Sequence, residues 1–291
     1  MSRPADLAVP VADRTRARRG LAIFFPLVIV FEAVVVTIMI VTENYLWVFA
    51  LMWSVTLASV IARLVLREGF ADISLRLRLG RRTGYWFVVA LLYPQVVGAV
   101  AFGIAWLTGI TPFTPPPGGF WMGLLVASTI GTLVGCLSAA GEEIGWRGYM
   151  LTRLIDAGVP RPVLVSGVIW GLWHTPLIFV GLLFAEHPSQ LVAALVFVVS
   201  ATATACVLAR ARLESGSIWP CILLHGAYNT VIQSAYWTAA SSGGPEAAIW
   251  IDVEAGLLVM ATLIVGALVL CRGRWTFLRA PDQPMQAPAA L

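Results

Sequence analysis

Charged side chains are scarce in this sequence of 291 residues, and lysine is absent from it. Only 12% of the residues are charged, whereas 59% are hydrophobic, and the mean hydropathy is +0.86. A chain of this composition has too few polar residues to cover an apolar core in water, so most of it must be solvated by lipid or by other apolar helices. The composition therefore predicts an integral membrane protein.

All 19 basic residues are arginine. Such a bias is typical of GC-rich bacterial genomes, and we expect a multi-pass protein of a bacterial plasma membrane. The formal charge of +4 does not indicate a nucleic-acid partner. The arginines lie in short segments between apolar stretches, where basic residues orient membrane helices.

Cysteine is also rare, with four residues that all lie inside or at the end of apolar segments: Cys136, Cys206, Cys221 and Cys271. None forms a CxxC motif, and none shares an aqueous loop with another cysteine. We interpret them as small apolar side chains rather than as a disulfide framework.

Three motifs that carry hydrolytic chemistry in other proteins are missing. The sequence has no HExxH motif for a common type of zinc site. It also has no GxSG motif for a serine nucleophile and no pair of membrane aspartates in a GxGD context. Any hydrolytic site in this chain must therefore use other residues.

Eight mostly apolar stretches are long enough to cross a bilayer as helices, which needs about 20 residues each. They lie at about 21–42, 45–66, 84–109, 119–141, 162–184, 189–210, 217–238 and 249–271. The sequence thus predicts an all-α bundle of eight transmembrane helices over residues 21–271. We expect an Arg-rich cytoplasmic tail at 1–20 and a second cytoplasmic tail at 272–291. Prolines within the predicted helices, each expected to bend its helix, are Pro26, Pro94, Pro176 and Pro220.

The arginines also predict the orientation of the bundle. If the eight stretches alternate in direction, all 19 arginines fall on one side of the membrane, and the loops on the other side contain no basic residue. Basic residues are enriched in cytoplasmic loops. We therefore expect both termini in the cytoplasm.

A few ionisable or amide side chains interrupt the apolar stretches. An ionisable group at the centre of a membrane helix costs about 2.5–3.5 kcal/mol, so each such group needs a partner or a polar cavity. The residues in question are Glu32, Glu142, Glu143, Arg147, His174, His225 and Asn229. We expect Glu32 to be a packing or cavity residue, because no partner is evident for it. His187, Asp252 and Glu254 lie near the predicted outer ends of the bundle, where we expect them to face water.

Helical spacing separates the two adjacent glutamates. Residues four apart share a helix face, whereas adjacent residues diverge by about 100°. Glu143 therefore faces Arg147 and is expected to form an intrahelical ion pair, which leaves Glu142 available for chemistry. The same spacing puts Trp170 with His174.

His225 and Asn229 also share a helix face by this spacing. Together with Glu142 and His174, they are expected to lie in one layer of the inner half of the bundle. A water between a carboxylate and an imidazole can lose a proton to the carboxylate and attack a carbonyl, while a histidine and an amide stabilise the oxyanion. The alternative from the residues alone is that these polar groups only connect helices by hydrogen bonds.

Three blocks in this order, Glu142-Glu143-x-x-x-Arg147, Trp170-x-x-x-His174 and His225-x-x-x-Asn229, resemble the CAAX prenyl endopeptidase and bacteriocin-processing (CPBP, Abi) family of intramembrane proteases. The resemblance covers about residues 120–235, the protease-like core. It implies Glu142 as general base, His174 as its partner on the water, and His225 with Asn229 as oxyanion donors. Glu143 and Arg147 would support them. The family usually has Phe where this chain has Trp170, a change that affects the shape of the pocket.

The resemblance implies a membrane-bound peptide or protein as substrate. A bacteriocin leader, a membrane-tethered precursor or a signal fragment fits a bacterial chain better than a prenylated protein does. The metal content stays open, because Glu142, His174 and His225 suit a divalent metal such as zinc and equally suit metal-free activation of water. Two other functions compete with proteolysis. One is a non-catalytic scaffold for bacteriocin self-immunity, and the other is a proton- or metal-coupled transporter.

Overall fold

The structure is a computed structural model that describes residues 11–78, 80–240 and 243–272. All regular secondary structure in these ranges is helical, which confirms the predicted all-α class. Six of the helical segments are long and apolar enough to cross a membrane. The protein is therefore a multi-pass membrane protein. Most of the two predicted tails lies outside the described residues.

The helices are named in chain order. They are α1 (Val11–Thr42), α2 (Trp47–Leu66), α3 (Arg81–Leu107), α4 (Phe120–Val126), α5 (Thr132–Gly145), α6 (Leu151–Asp156), α7 (Pro162–Trp173), α8 (Thr175–Phe179), α9 (Gln190–Ser215), α10 (Trp219–Thr230), α11 (Gly244–Ile251) and α12 (Leu257–Leu270). Short π-helical segments at Ala127–Gly131 and Trp146–Met150 join α4, α5 and α6 into one long segment, and another at Val231–Tyr236 extends α10.

The membrane segments differ from the sequence prediction in two regions. The predicted helix at 119–141 instead continues without interruption from Phe120 to Asp156. The predicted helix at 249–271 is broken, because α11 ends at Ile251 and α12 begins at Leu257 after a short 3-10 turn. Neither α10 nor α12 is among the six long apolar segments, so the count of eight crossings remains a prediction.

All four prolines were expected to lie inside helices and bend them. Two of them instead lie in the first turn of a helix. Pro26 and Pro94 do lie inside α1 and α3. Pro176 and Pro220, in contrast, occupy the first turns of α8 and α10. Proline is well tolerated in a first turn because the backbone donor that it lacks would have no partner there. Pro176 thus lies just after a helix break at His174.

One end of the bundle is closed by ion pairs around the loop after α2. Asp72 in this loop binds Arg63 of α2, and its other oxygen lies 2.8 Å from Arg153 of α6. Arg153 also binds Glu68 at 2.9 Å, and Arg212 of α9 donates to the backbone oxygen of Asp72 at 2.8 Å. Arginines from three helices therefore meet at the same end of the fold, as the one-sided arrangement in the sequence predicts.

Close contact between α5 and α10 depends on two glycines. A Cβ atom on Gly135 would lie 2.6 Å from the backbone oxygen of Gly226, and a Cβ on Gly226 would lie 2.6 Å from the backbone nitrogen of Cys136. Small residues at helix interfaces allow backbones to approach in this way. The contact holds α5, which carries Glu142 and Glu143, directly against α10, which carries His225.

Candidate active site

A cavity of about 670 Å³ lies between the helices that carry the predicted site residues. Glu142, His174, His225 and Asn229 all line its wall. They come from α5, the junction of α7 with α8, and α10, so segments far apart in sequence contribute to one chamber. The predicted site residues are thus gathered around a single space large enough for part of a peptide.

Glu142 is almost fully buried, with 2% of its surface exposed. Its Oε2 atom accepts hydrogen bonds from the indole nitrogen of Trp170 at 2.7 Å and from that of Trp146 at 3.3 Å. These donors fix the orientation of the carboxylate and satisfy one of its oxygens. Trp146, four residues after Glu142 on the same helical face, was not singled out from the sequence.

Glu143 lies beneath the cavity wall and is fully buried. Its Oε1 atom accepts a hydrogen bond from Arg147 Nη1 at 2.8 Å, so the ion pair predicted from the i, i+4 spacing is present. The same oxygen lies 2.9 Å from Nδ1 of His225. Arg147 also stacks over the Trp170 ring, with its guanidinium carbon 4.2 Å from the ring centroid. Glu143 therefore connects Arg147 to His225, a link that spacing alone does not reveal.

The ring orientations of both histidines follow from their Nδ1 contacts. Nδ1 of His174 lies 2.8 Å from the backbone oxygen of Trp170, and that oxygen can only accept, so Nδ1 carries the proton. The Nε2 atom of neutral His174 then has a free lone pair. His225 directs its Nδ1 atom to Glu143, so its Nε2 atom is likewise the nitrogen left for other partners.

The donor groups do not fit a metal ion. Among residues 11–78, 80–240 and 243–272, no group of three or more His, Cys, Asp or Glu side chains is arranged so that it could hold one. Glu142, His174 and His225, the candidate ligands from the sequence, line the same cavity without forming such a group. A structural or catalytic zinc needs at least three protein ligands in most sites.

The cavity opens at the other end of the bundle from the one expected. From the sequence, the site residues are expected to lie in the inner half of the bundle, on its arginine-rich side. The lining instead extends from Glu142 to Phe49 at the start of α2 and to the exposed Glu186 in the loop before α9. The arginine-rich end is closed by ion pairs around Asp72. Because the helix of Glu142 continues as far as Asp156, Glu142 lies roughly 21 Å along the axis from that end.

Three residues near this open end differ from the sequence expectation of solvated side chains. His187 is 5% exposed, and its Nδ1 atom lies 2.9 Å from the backbone oxygen of Ser189. Asp252 is 3% exposed and lines the cavity, as does the half-buried Glu254. Their positions near predicted loops gave no signal of this burial. Asp252 and Glu254 lie in the break between α11 and α12.

Glu32 is the one predicted intramembrane acid that lies away from the cavity. It is 7% exposed on α1, and its Oε1 atom has no hydrogen-bond partner within the described residues. It is absent from the cavity wall. Of the two roles expected for Glu32, a packing or a cavity residue, the second does not apply to this cavity, and the first stays a prediction.

Residues 121–231 match the family model of the Type II CAAX prenyl endopeptidase Rce1-like proteins. A curated relative, CAAX prenyl protease 2 from the archaeon Methanococcus maripaludis, is 44% identical over 45 residues. That alignment covers 15% of this chain and 17% of the relative. The family resemblance drawn from the three sequence blocks is confirmed, and all four residues assigned to catalysis lie inside the matched segment. The archaeal relative does not test the predicted bacterial origin.

Proposed function

We propose that this chain, in which residues 121–231 form a Type II CAAX prenyl endopeptidase Rce1-like domain, is an intramembrane endopeptidase that hydrolyses a peptide bond of a membrane-associated peptide or protein. The observation that carries the proposal is the common cavity of Glu142, His174, His225 and Asn229. Exposed apolar side chains of α2 and α5, including Phe49 and Val134, also line it. A substrate that is itself embedded in lipid would meet this wall directly.

In the proposed reaction, a water is held between the carboxylate of Glu142 and Nε2 of His174. Glu142 takes a proton from the water as its oxygen attacks the carbonyl carbon of the substrate. The Trp170 and Trp146 indoles hold the carboxylate in one orientation during this step. Glu142 then returns the proton to the leaving amine as the C–N bond breaks, so the enzyme forms no covalent intermediate.

His225 and Asn229 stabilise the oxyanion in this proposal. As an imidazolium, His225 donates through Nδ1 to Glu143 and through Nε2 to the oxyanion. The Asn229 side chain supplies an amide donor from the same face of α10, one turn further along. Losing one oxyanion donor typically lowers turnover by about 10²–10³. No step passes through a metal ion, because the described donor groups do not fit one.

The proposal is tested by comparing membrane peptides in cells that carry the wild-type chain, Glu142→Gln or Glu246→Gln. Glu246 is exposed near the start of α11 and does not line the cavity, so it is a matched loss of one carboxylate. New peptide termini should appear with wild type and Glu246→Gln and disappear with Glu142→Gln. If the peptide termini and the bacteriocin immunity of the cells are the same in all three strains, the chain acts as a scaffold rather than a protease.

We also propose eight crossings, with both termini in the cytoplasm of a bacterial cell. The six long apolar segments are supplemented by α10 with its π-helical extension and by the broken pair α11 and α12. Reporter fusions at positions 115, 187 and 243 should then be extracytoplasmic, and fusions at 75, 157 and 213 cytoplasmic. A cytoplasmic signal at 115 would contradict this topology.

A further inference from the structure

Several acidic side chains line the cavity. Four carboxyl groups reach its wall, and no arginine of the described residues does. Glu142 belongs to the reaction proposed above, whereas the other three have no role in it. They are Glu186 in the loop before α9, and Asp252 and Glu254 in the break between α11 and α12, and we name these three residues the acidic wall.

Asp252 has the features of an unfilled binding group. It is 3% exposed, and its Oδ2 atom has no hydrogen-bond partner within the described residues. Asp252 also lines the cavity, so a donor that enters the cavity can approach this carboxylate, whose Oδ2 atom is itself enclosed by protein. A buried carboxylate oxygen without a donor is costly, so a positively charged donor that enters the cavity gains more than an uncharged one.

The other two members extend this charge towards solvent. Glu254 is half-buried beside the cavity, and Glu186 is exposed at the opening. The loops at this end contain no arginine or lysine. The described side chains of the acidic wall are not arranged as a metal site either. What remains as a complementary ligand is an organic cation.

We infer that the acidic wall binds a cationic segment of the substrate, either an arginine or lysine side chain or a free α-amino group, while the adjacent peptide bond lies at Glu142. The inference rests on the proposed function and specifies its substrate. A substrate segment with a free carboxylate terminus near the wall is repelled. Like-charge contacts reduce the affinity for wrong partners and so give selectivity.

The test measures binding and not turnover, so that it stays informative whether or not the chain is a protease. Two apolar peptides are synthesised that are identical and amidated, except that one carries two arginines where the other carries two glutamates. Binding to full-length protein in neutral detergent is measured by titration, with Glu142→Gln as the background so that neither peptide is cut. We expect the arginine peptide to bind at least about tenfold more tightly at low salt, with a smaller ratio at high salt.

Variants that remove a carboxylate charge show which residues cause the preference for the arginine peptide. Asp252→Asn with Glu254→Gln should bring the ratio of the two affinities close to one, whereas Glu246→Gln, an acid on the same side of the bundle but outside the cavity, should leave it unchanged. If the double variant does not fold, Glu186→Gln alone should still lower the ratio. Glu186 is exposed, so we expect this variant to fold.

Equal affinities for the two peptides would overturn the inference. It would also be overturned if the preference for the arginine peptide remained after the charges of the acidic wall were removed, or if Glu246→Gln removed that preference as well. Cleavage of the arginine peptide by the wild-type chain is measured separately. If binding shows the expected preference but no cleavage occurs, the cationic site stands and the proposed protease function fails.

Discussion

Replacing Glu143 with glutamine should destabilise the protein far more than the same change at Glu142. Glu143 and Arg147 form an ion pair in which both side chains are fully buried. Two further nitrogens of Arg147, Nε and Nη2, already lack hydrogen-bond partners within the described residues. Glu143→Gln therefore leaves a buried guanidinium with no countercharge, and His225 loses the carboxylate that its Nδ1 atom contacts.

The size of the effect follows from the burial of the pair. Breaking a buried ion pair by removing one partner costs about 3–5 kcal/mol. For a chain of this size, each kcal/mol corresponds to roughly 2–4 °C in the unfolding temperature. We expect Glu143→Gln to lower that temperature by on the order of 10 °C. In Glu142→Gln, the amide oxygen can still accept from Trp170 and Trp146, so the loss should be about 1 kcal/mol or less.

The assay is thermal unfolding of both purified variants in the same detergent, followed by intrinsic tryptophan fluorescence. A double-mutant cycle with Arg147→Met isolates the pair, because removing both charges should restore part of the stability lost in Glu143→Gln. Equal unfolding temperatures for Glu142→Gln and Glu143→Gln would refute the reasoning. The same conclusion would follow if Arg147→Met made Glu143→Gln still less stable.

Three further outcomes are expected. Trp170→Phe keeps an aromatic ring over Arg147 but removes the shorter hydrogen bond to Glu142, so cleavage should fall about tenfold in a peptide assay while folding is retained. Gly226→Ala should lower the unfolding temperature by an amount equivalent to about 1–3 kcal/mol, whereas an alanine at Gly103, where a Cβ meets open space, should not. Burial raises the pKa of Asp72, but the two arginines that bind it lower that pKa below its ordinary value of 3.8. Its stabilising effect should therefore be present at neutral pH and lost below that value, and unfolding temperatures of wild type and Asp72→Asn should converge in acid.

Local spacing was sufficient to predict the contacts within one helix. Glu143 and Arg147 are four residues apart, and the ion pair requires only a helix, so the sequence predicted it correctly. The hydrogen bond from Trp170 to Glu142 joins α7 to α5, and the contact of His225 with Glu143 joins α10 to α5. Such contacts depend on which helix faces pack together. In this fold that packing is set by close approaches such as the glycine contact between α5 and α10.

Hydropathy predicted the positions of most helices but not where they break. The segment around Pro176 is apolar throughout, yet the helix ends at Trp173 and a new one begins at Thr175. The signal was present, since proline favours a first turn and disfavours the interior of a helix. Asp252 was expected in water because it lies near the end of an apolar stretch, but its burial depends on the break between α11 and α12, which hydropathy does not detect.

The most direct test of the central claim is the single-turnover cleavage rate of a membrane peptide by purified protein in lipid nanodiscs, with Glu142→Gln and Glu246→Gln compared at equal folded concentration. If Glu142 activates the attacking water, Glu142→Gln should lower the rate by at least about 100-fold, while Glu246→Gln should cleave at the wild-type rate. A Glu142→Gln protein that is folded and cleaves as fast as wild type would contradict the account.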